Sequence, residues 1–316
     1  MKIYLTGSTG FIGTHLVIRL LRLSYHVLAP IRNFRFNQKN FHKNLKLLNF
    51  DNTEKIIDYF ENLGEIDCII HCAARTHVMK EKNKDPLNAY REVNVEKTKK
   101  LAESAAEHGI KRFIFLSSVK VNGEKTYGSN YFNYNDTPEP EDFYAISKFE
   151  AEKALWEVSR RTGLEVTVIR LPLVYGYGVK GNLKKLIKLV RLGIPLPLSS
   201  IQNKRSMIGI DNLIDLLIKC IEHPSAAGKT FLVSDGKDLS TPNLINQIST
   251  AMGSGSRLFP FPIFLLKFLF KIFGKKKEID RLTSSLKINS NHIKKVLNWS
   301  PPVNVAEGIR RMVQGK

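Results

Sequence analysis

Tyr144 and Lys148 stand four residues apart in Tyr144-Ala-Ile-Ser-Lys148, just after Pro138-Glu-Pro-Glu-Asp142. On a helix, residues at i and i+4 share a face, so the phenol and the ammonium can point into one pocket. An ammonium beside a phenol favours the phenolate and lowers its pKa from the reference of ~10. Such a tyrosine can take or give the proton of a hydroxyl–carbonyl interconversion. The same spacing also arises where an aromatic ring simply packs under a lysine stem, so the reading depends on what else the chain supplies.

A second stretch supplies a nucleotide. Lys2-Ile-Tyr-Leu-Thr6 reads as a short buried strand that runs into Gly7-Ser-Thr-Gly10-Phe-Ile-Gly13 and then into the apolar periodicity of a helix. Strand, glycine turn and helix in that order give a glycine pattern its meaning. Gly7 allows the tight turn, Gly10 lets backbone amides approach a pyrophosphate, and Gly13 allows close helix packing. Thr9, Phe11 and Ile12 complete the turn as cofactor-binding candidates, and the helix amino end favours an anion. The strand Val27–Ile31 ends at Arg32, where an NAD-preferring fold often carries an acid. An arginine accommodates a 2′-phosphate, so the expectation is NADP(H) over NAD(H).

The elements that must position these residues alternate along the chain. Strands are expected at Leu45–Phe50 with Asp51 at its end, Cys68–Cys72, Arg112–Leu116 and Val166–Arg170. Helices are expected at 54–63 and around 84–108. Ala73 and Ala74 follow the fourth strand with little side chain, leaving backbone free to lie against a cofactor. The pattern predicts an α/β fold, a doubly wound parallel sheet of Rossmann type covered on both faces. After Pro172 the texture changes. Residues 1–172 read as the dinucleotide-binding domain, and 173–316 as a smaller lobe over the carboxyl edge of the sheet, with some segments returning to it. Helices are expected there at 182–192, 211–222 and 241–252, with a strand at Thr230–Val233.

The 316 residues are 43% hydrophobic and 25% charged, as in an ordinary folded protein. The net charge of +20 is high, but the lysines are scattered rather than gathered into an aromatic-studded block, so no nucleic-acid partner is expected. Cys68, Cys72 and Cys220 are too few for a disulfide framework, and no spacing suggests a metal site. With Met1-Lys2 leading straight into a strand, the expected location is the cytoplasm. Residues 260–277 stand apart as a Phe-rich run carrying Lys267 and Lys271. It is too short and too interrupted to span a bilayer, which takes ~20 apolar residues. Two readings stay open for it. One is a helix packed on the smaller lobe with its lysines outward, the commoner case; the other is weak peripheral contact with a membrane.

The glycine turn, the Ser118 region and Tyr144-x-x-x-Lys148, in this order, resemble the extended short-chain dehydrogenase/reductase family of nucleotide-sugar epimerases, dehydratases and ketoreductases. Further stretches are similar to one branch: Ala73–Met79, Ser117–Gly123, Pro172–Gly176, Asn203–Ser206 and Leu232–Ser240. That branch holds bacterial 4-ketoreductases making UDP-N-acetylquinovosamine for O-antigen, together with UDP-glucose 4-epimerase-like proteins. The resemblance implies that Tyr144 is the acid/base, that Lys148 tunes it and holds the nicotinamide ribose, and that Ser118 rather than Ser117 bonds the reacting oxygen. It places Asp51 at the adenine and Asn94 at the cofactor. Asn182, Leu198 and Arg205 fall at the nucleotide diphosphate, and Thr76 and Lys120 on the sugar side. It also implies a UDP-sugar substrate and a homodimer paired through helices around 88–108 and 144–162. Asn122, where many epimerases have tyrosine, and Arg32 point toward a reductase of a UDP-4-keto-6-deoxy-N-acetylhexosamine. The alternatives are a UDP-hexose 4-epimerase acting on UDP-glucose or UDP-N-acetylglucosamine and, more remotely, a non-catalytic NADP-sensing or scaffold protein.

Overall fold

Alternate residues of the central strands feed two different cores, which is what a sheet buried on both faces requires. In β1 (Lys2–Thr6), Ile3 and Leu5 enter one core while Tyr4 enters the other. β5 (Arg112–Ser118) is buried at all seven positions and divides in the same way, Ile114 and Leu116 against Phe113 and Phe115. The computed structural model describes residues 1–31, 42–49, 60, 63–76 and 85–315. Arg32, Asp51 and most of the helix expected over 54–63 lie outside them.

The other strands of the sheet are β2 (His26–Ile31), β3 (Leu45–Asn49), β4 (Cys68–His71), β6 (Glu165–Leu171) and β9 (Lys229–Leu232). Their order is β3-β2-β1-β4-β5-β6-β9, and every described pairing is parallel. One face is covered by α1 (Phe11–Arg22), α6 (Ile210–Glu222) and α10 (Asn291–Leu297). α3 (Lys97–Glu107) and α4 (Phe143–Thr162) cover the other. β9 and α6 follow residue 172 in sequence yet belong to the large sheet, so chain order and spatial order part company there.

The smaller lobe is built on a parallel pair, β7 (Leu173–Tyr175) and β8 (Met207–Gly209), which the sequence reading did not anticipate. Around it pack α5 (Gly181–Arg191), α7 (Thr241–Ala251), α8 (Ile263–Ile272), α9 (Lys276–Thr283) and α11 (Val305–Gln314). A buried Tyr175 hydroxyl donates to Asp235 at 2.6 Å, and Asp235 also accepts from the Gly209 amide and Asn212 Nδ2. This satisfied polar knot ties the small sheet to α6 and fixes how the lobe stands on the large domain.

α4 carries the residues of interest because its start is set by a side chain. Asp142 accepts from the Ala145 amide at 2.7 Å as the amino cap, which puts Tyr144 in the first turn and Lys148 one turn later. Gly163, at φ 78°, closes the helix in the left-handed region. Within the helical region expected around 84–108, a short helix α2 (Pro86–Arg91) runs through a π turn at Glu92–Glu96 directly into α3.

Candidate functional site

The turn after β1 is shaped for an anion. Gly7 has φ +70°, and a Cβ there would lie 2.7 Å from the Ala73 amide nitrogen, so the β1 and β4 ends approach each other only because residue 7 is glycine. A Cβ on Gly13 would fall 2.1 Å from the Gly7 carbonyl oxygen, which seats α1 against the turn. Gly10 and Thr9 are exposed on the outer surface of the turn. α1 begins with no side-chain cap and no acidic residue in its first turn, so the amides of Phe11 and Ile12 remain for a ligand. Ser8 Oγ beside them is buried with no hydrogen-bond partner among the described residues. A dinucleotide pyrophosphate fits this cradle: it brings acceptors to the helix start and to the orphaned hydroxyl. Below the turn, Thr6 Oγ1 accepts from the Ala73 amide at 3.2 Å and lies 2.7 Å from His71 Nδ1, while His71 Nε2 lies 3.0 Å from Thr98 Oγ1. Burial pushes His71 down to about 3, so this histidine is a neutral structural bridge.

Two adjacent serines end β5, and their partners separate their roles. Ser117 Oγ donates to Glu152, whose carboxylate also accepts from Arg170 Nη2 at 2.7 Å. Arg170 Nη1 donates to Asn122 Oδ1 at 3.0 Å, and Asn122 Nδ2 donates to the Asn133 carbonyl. Ser117 is therefore spent inside a buried network. Ser118 instead accepts from the Lys120 amide at 3.2 Å and hydrogen-bonds the Tyr144 phenol. The structure brings Ser118 and Tyr144 together at the carboxyl edge of the sheet, where ligands bind in folds of this kind.

The electrostatics of the pair differ from the expectation that Lys148 lowers the phenol. The Tyr144 phenol is pushed up to about 12, first by burial and then by Asp142, with the Ser118 hydrogen bond acting the other way. Lys148 is pushed down to about 7 by burial, partly offset by Glu152 and Cys72. Its Nζ sits 3.8 Å from the centre of the Phe115 ring. Burial of both groups outweighs their mutual influence in the chain alone, so Tyr144 rests as a phenol. The thiols of Cys72 and Cys220 are pushed up to about 12 by burial and remain unreactive.

Asn94 is held by protein groups on both sides. Buried in the π turn, it accepts from the Arg75 amide at 2.8 Å and donates to the Arg75 carbonyl and to Ser147 Oγ. Its amide is fully engaged by protein groups, so it fastens the loop after β4 to α4. Ala73 and Ala74 lie on that loop, and the Thr76 carbonyl accepts from Tyr90 Oη at 3.1 Å. Lys120 Nζ is held by Glu124 and by Asp142 at 2.7 Å, so it stands beside Ser118 and Tyr144 as a neutralised cation.

In the smaller lobe, Arg205 Nη1 donates to the carbonyls of Arg281 and Ser284, each at 3.2 Å. Among the described residues its Nε and Nη2 make no hydrogen bond, with Glu124 acting on the guanidinium electrostatically, so that side of the fork could take a phosphate. Asn182 is exposed in the first turn of α5. Leu198 differs in kind, because its side chain packs in the lobe core and it can meet a nucleotide only through its backbone. Sequence reasoning missed Glu152 and Arg170. Glu152 had a signal, since Tyr144, Lys148 and Glu152 repeat at four-residue steps along one helix face. Among the described residues no group of His, Cys, Asp and Glu could hold a metal ion.

Comparison with known proteins shows the family and the fold. Residues 3–234 match the NAD dependent epimerase/dehydratase family. A UDP-glucose 4-epimerase of Vibrio cholerae is 44% identical over 315 residues, covering 99% of this chain and 94% of its own. An N-acetyl-alpha-D-glucosaminyl-diphospho-ditrans,octacis-undecaprenol 4-epimerase of Escherichia coli O157:H7 is 26% identical over 286 residues, 87% of this chain and 82% of that one. The crystal structure of a UDP-glucose 4-epimerase from Thermotoga maritima with UDP-glucose superposes with a TM-score of 0.78, at 21% identity, over 99% of this chain and 98% of that one.

Proposed function

The chain belongs to the NAD dependent epimerase/dehydratase family, and from that premise we propose that it is a UDP-hexose 4-epimerase acting on UDP-glucose or UDP-N-acetylglucosamine. The observation that carries the reading is the hydrogen-bonded Ser118–Tyr144 pair at the carboxyl edge of the sheet, in a chain 44% identical to a UDP-glucose 4-epimerase. NAD, when bound, would supply the hydride acceptor and, in its oxidised form, a positive charge that favours the phenolate of Tyr144. Tyr144 would take the proton of the sugar 4-hydroxyl as the C4 hydride passes to the cofactor, and would return that proton to O4 when the rotated keto-sugar takes the hydride back on the other face of C4. Ser118 hydrogen-bonds the same oxygen while it carries charge. Lys148 holds the nicotinamide ribose, Arg205 and Asn182 the diphosphate, and Lys120 and Thr76 border the sugar.

An epimerase must keep its cofactor, because the oxidised sugar has to be reduced in place. Retained NAD suits this reading, and the NADP preference drawn from Arg32 belongs to the second one. That second reading is the 4-ketoreductase of O-antigen synthesis. It is favoured by the phenol form of Tyr144, which is ready to protonate an alkoxide. Asn122 no longer favours it, because the side chain is taken up by Arg170 and Asn133. The relative whose name carries a diphospho-undecaprenol sugar suggests that the hexose diphosphate, rather than uridine alone, is the recognised unit. We place the enzyme in the cytoplasm as a homodimer paired through α3 and α4.

The test is conversion of UDP-glucose or UDP-N-acetylglucosamine to the galacto isomer by purified protein with no added cofactor. Turnover by the wild type and its loss in Tyr144→Phe are expected. NADPH oxidation confined to UDP-4-keto-6-deoxy-N-acetylglucosamine would replace the epimerase with the reductase.

A further inference from the structure

The helix α8 turns its apolar side chains outward. In Ile263-Phe-Leu-Leu-Lys-Phe-Leu-Phe-Lys-Ile272 only Leu266 is buried, with Ile263 and Phe270 half-buried beside it against the lobe core. Phe264 and Phe268 are 71% and 60% exposed, and Ile272 follows at the next four-residue step with 63%. Leu265 and Leu269 widen this face, and Phe273 extends it at the carboxyl end, 74% exposed. The three phenylalanines alone leave roughly 400 Å² of apolar surface and the whole face about 650 Å², above the largest patch an ordinary monomer leaves in water. A helix packed on the lobe with only its lysines outward is therefore not what this chain forms.

Charge identifies the occupant. Residues 260–277 contain five lysines and no Asp or Glu. Lys267 and Lys271 lie together along one border of the apolar face, and Lys275 and Lys276 continue past its end, all exposed. Ten residues of helix are about 15 Å long and cannot cross a bilayer, and no described helix is long and apolar enough to do so. A short helix with an outward apolar face and bordering lysines suits the plane of a membrane surface. There the rings enter the acyl boundary and the lysine stems reach back to headgroup phosphates. A second copy of the chain suits it less, because a stable interface takes about 800 Å² per partner. Antiparallel twofold pairing of the helices would also set the lysine borders against one another.

From these observations we propose that α8 docks this enzyme on the surface of an anionic lipid bilayer. The docking helix is coupled to the site. α8 packs on α9, whose Arg281 carbonyl accepts from Arg205 at 3.2 Å. The inference goes beyond the sugar chemistry and stands whichever hexose carrier the site accepts.

The test uses the full chain, cofactor included, sedimented with vesicles of phosphatidylcholine alone or with about one third phosphatidylglycerol. The protein is expected in the pellet with the anionic vesicles and at least about tenfold less with the neutral ones. Phe264→Ser with Phe268→Ser should weaken vesicle binding about tenfold. Lys267→Gln with Lys271→Gln should remove most of the anionic preference. Both pairs should keep wild-type turnover of UDP-sugar in free solution, which also shows that they fold. Wild-type protein that stays in the supernatant overturns the proposal, as does equal sedimentation of the Phe and wild-type proteins. So does a wild-type oligomer that the Phe substitutions dissociate in light scattering without any vesicle binding, which would make α8 an interface between copies.

Discussion

Ser117 and Ser118 are neighbours of one type on one strand, and their bonding partners alone divide their work. Ser117 donates to a carboxylate that is buried with Arg170, whereas Ser118 faces the phenol. Ser118→Ala should lower turnover about 100-fold with the melting temperature little changed, since it removes a donor to the developing alkoxide. Ser117→Ala should leave turnover within a few-fold and cost about 1–3 kcal/mol, because a buried carboxylate loses a donor. Steady-state kinetics and denaturant melts on the two variants check this division; reversed outcomes would exchange their roles. The adjacency Ser117-Ser118 was legible in the sequence, and the roles then rested on resemblance. What the sequence could not show is the Glu152–Arg170 pair beneath them, because its members lie on different elements joined only by folding.

Along α4, the residues that do chemistry are a cost to the element that carries them. Its sheet-facing side is apolar at Ala151, Leu155 and Val158 but also holds Lys148, only 1% exposed. The amine titrates near 7 in the folded chain, below its ordinary 10.5. Between those values the unfolded chain binds a proton that the folded chain does not. Stability from this group is therefore lowest below pH 7 and rises as pH climbs toward 10.5. Lys148→Met should make the cofactor-free protein more stable at pH 7 by on the order of 1 kcal/mol while abolishing most turnover. The gain should shrink as pH approaches 10.5. Thermal melts across that range decide it, and a variant less stable at pH 7 would mean that the ammonium is held by favourable bonds. The start of α4 was nearly legible: Asp142 precedes the first helical residue, as an amino cap does. The π turn at Glu92–Glu96 was not, because its cause is tertiary. Asn94 turns inward there to bond Arg75 and Ser147.

For the whole molecule, the sheet followed from local pattern. β1 and β4 are short apolar runs ended by Gly7 and by Ala73-Ala74, and they pair as expected with both faces buried. The smaller lobe was harder to read. Leu173–Tyr175 and Met207–Gly209 are three residues each, too short to show a period of two, and they form strands only because they meet. α8 misled for the opposite reason. Its run of Phe and Leu is apolar enough to belong in a core, and nothing in it says that only Leu266, with Ile263 and Phe270 beside it, packs into the lobe.

The central claim is that one site both oxidises and restores the same carbon. UDP-glucose deuterated at C4, incubated with the protein and a pool of unlabelled nicotinamide dinucleotide, tests this most directly. The account predicts UDP-galactose that retains the deuterium at C4, seen by mass spectrometry and NMR, with none in the added pool. Label appearing in the pool, or no isomer at all beside steady NADPH consumption with a 4-keto sugar, would contradict it.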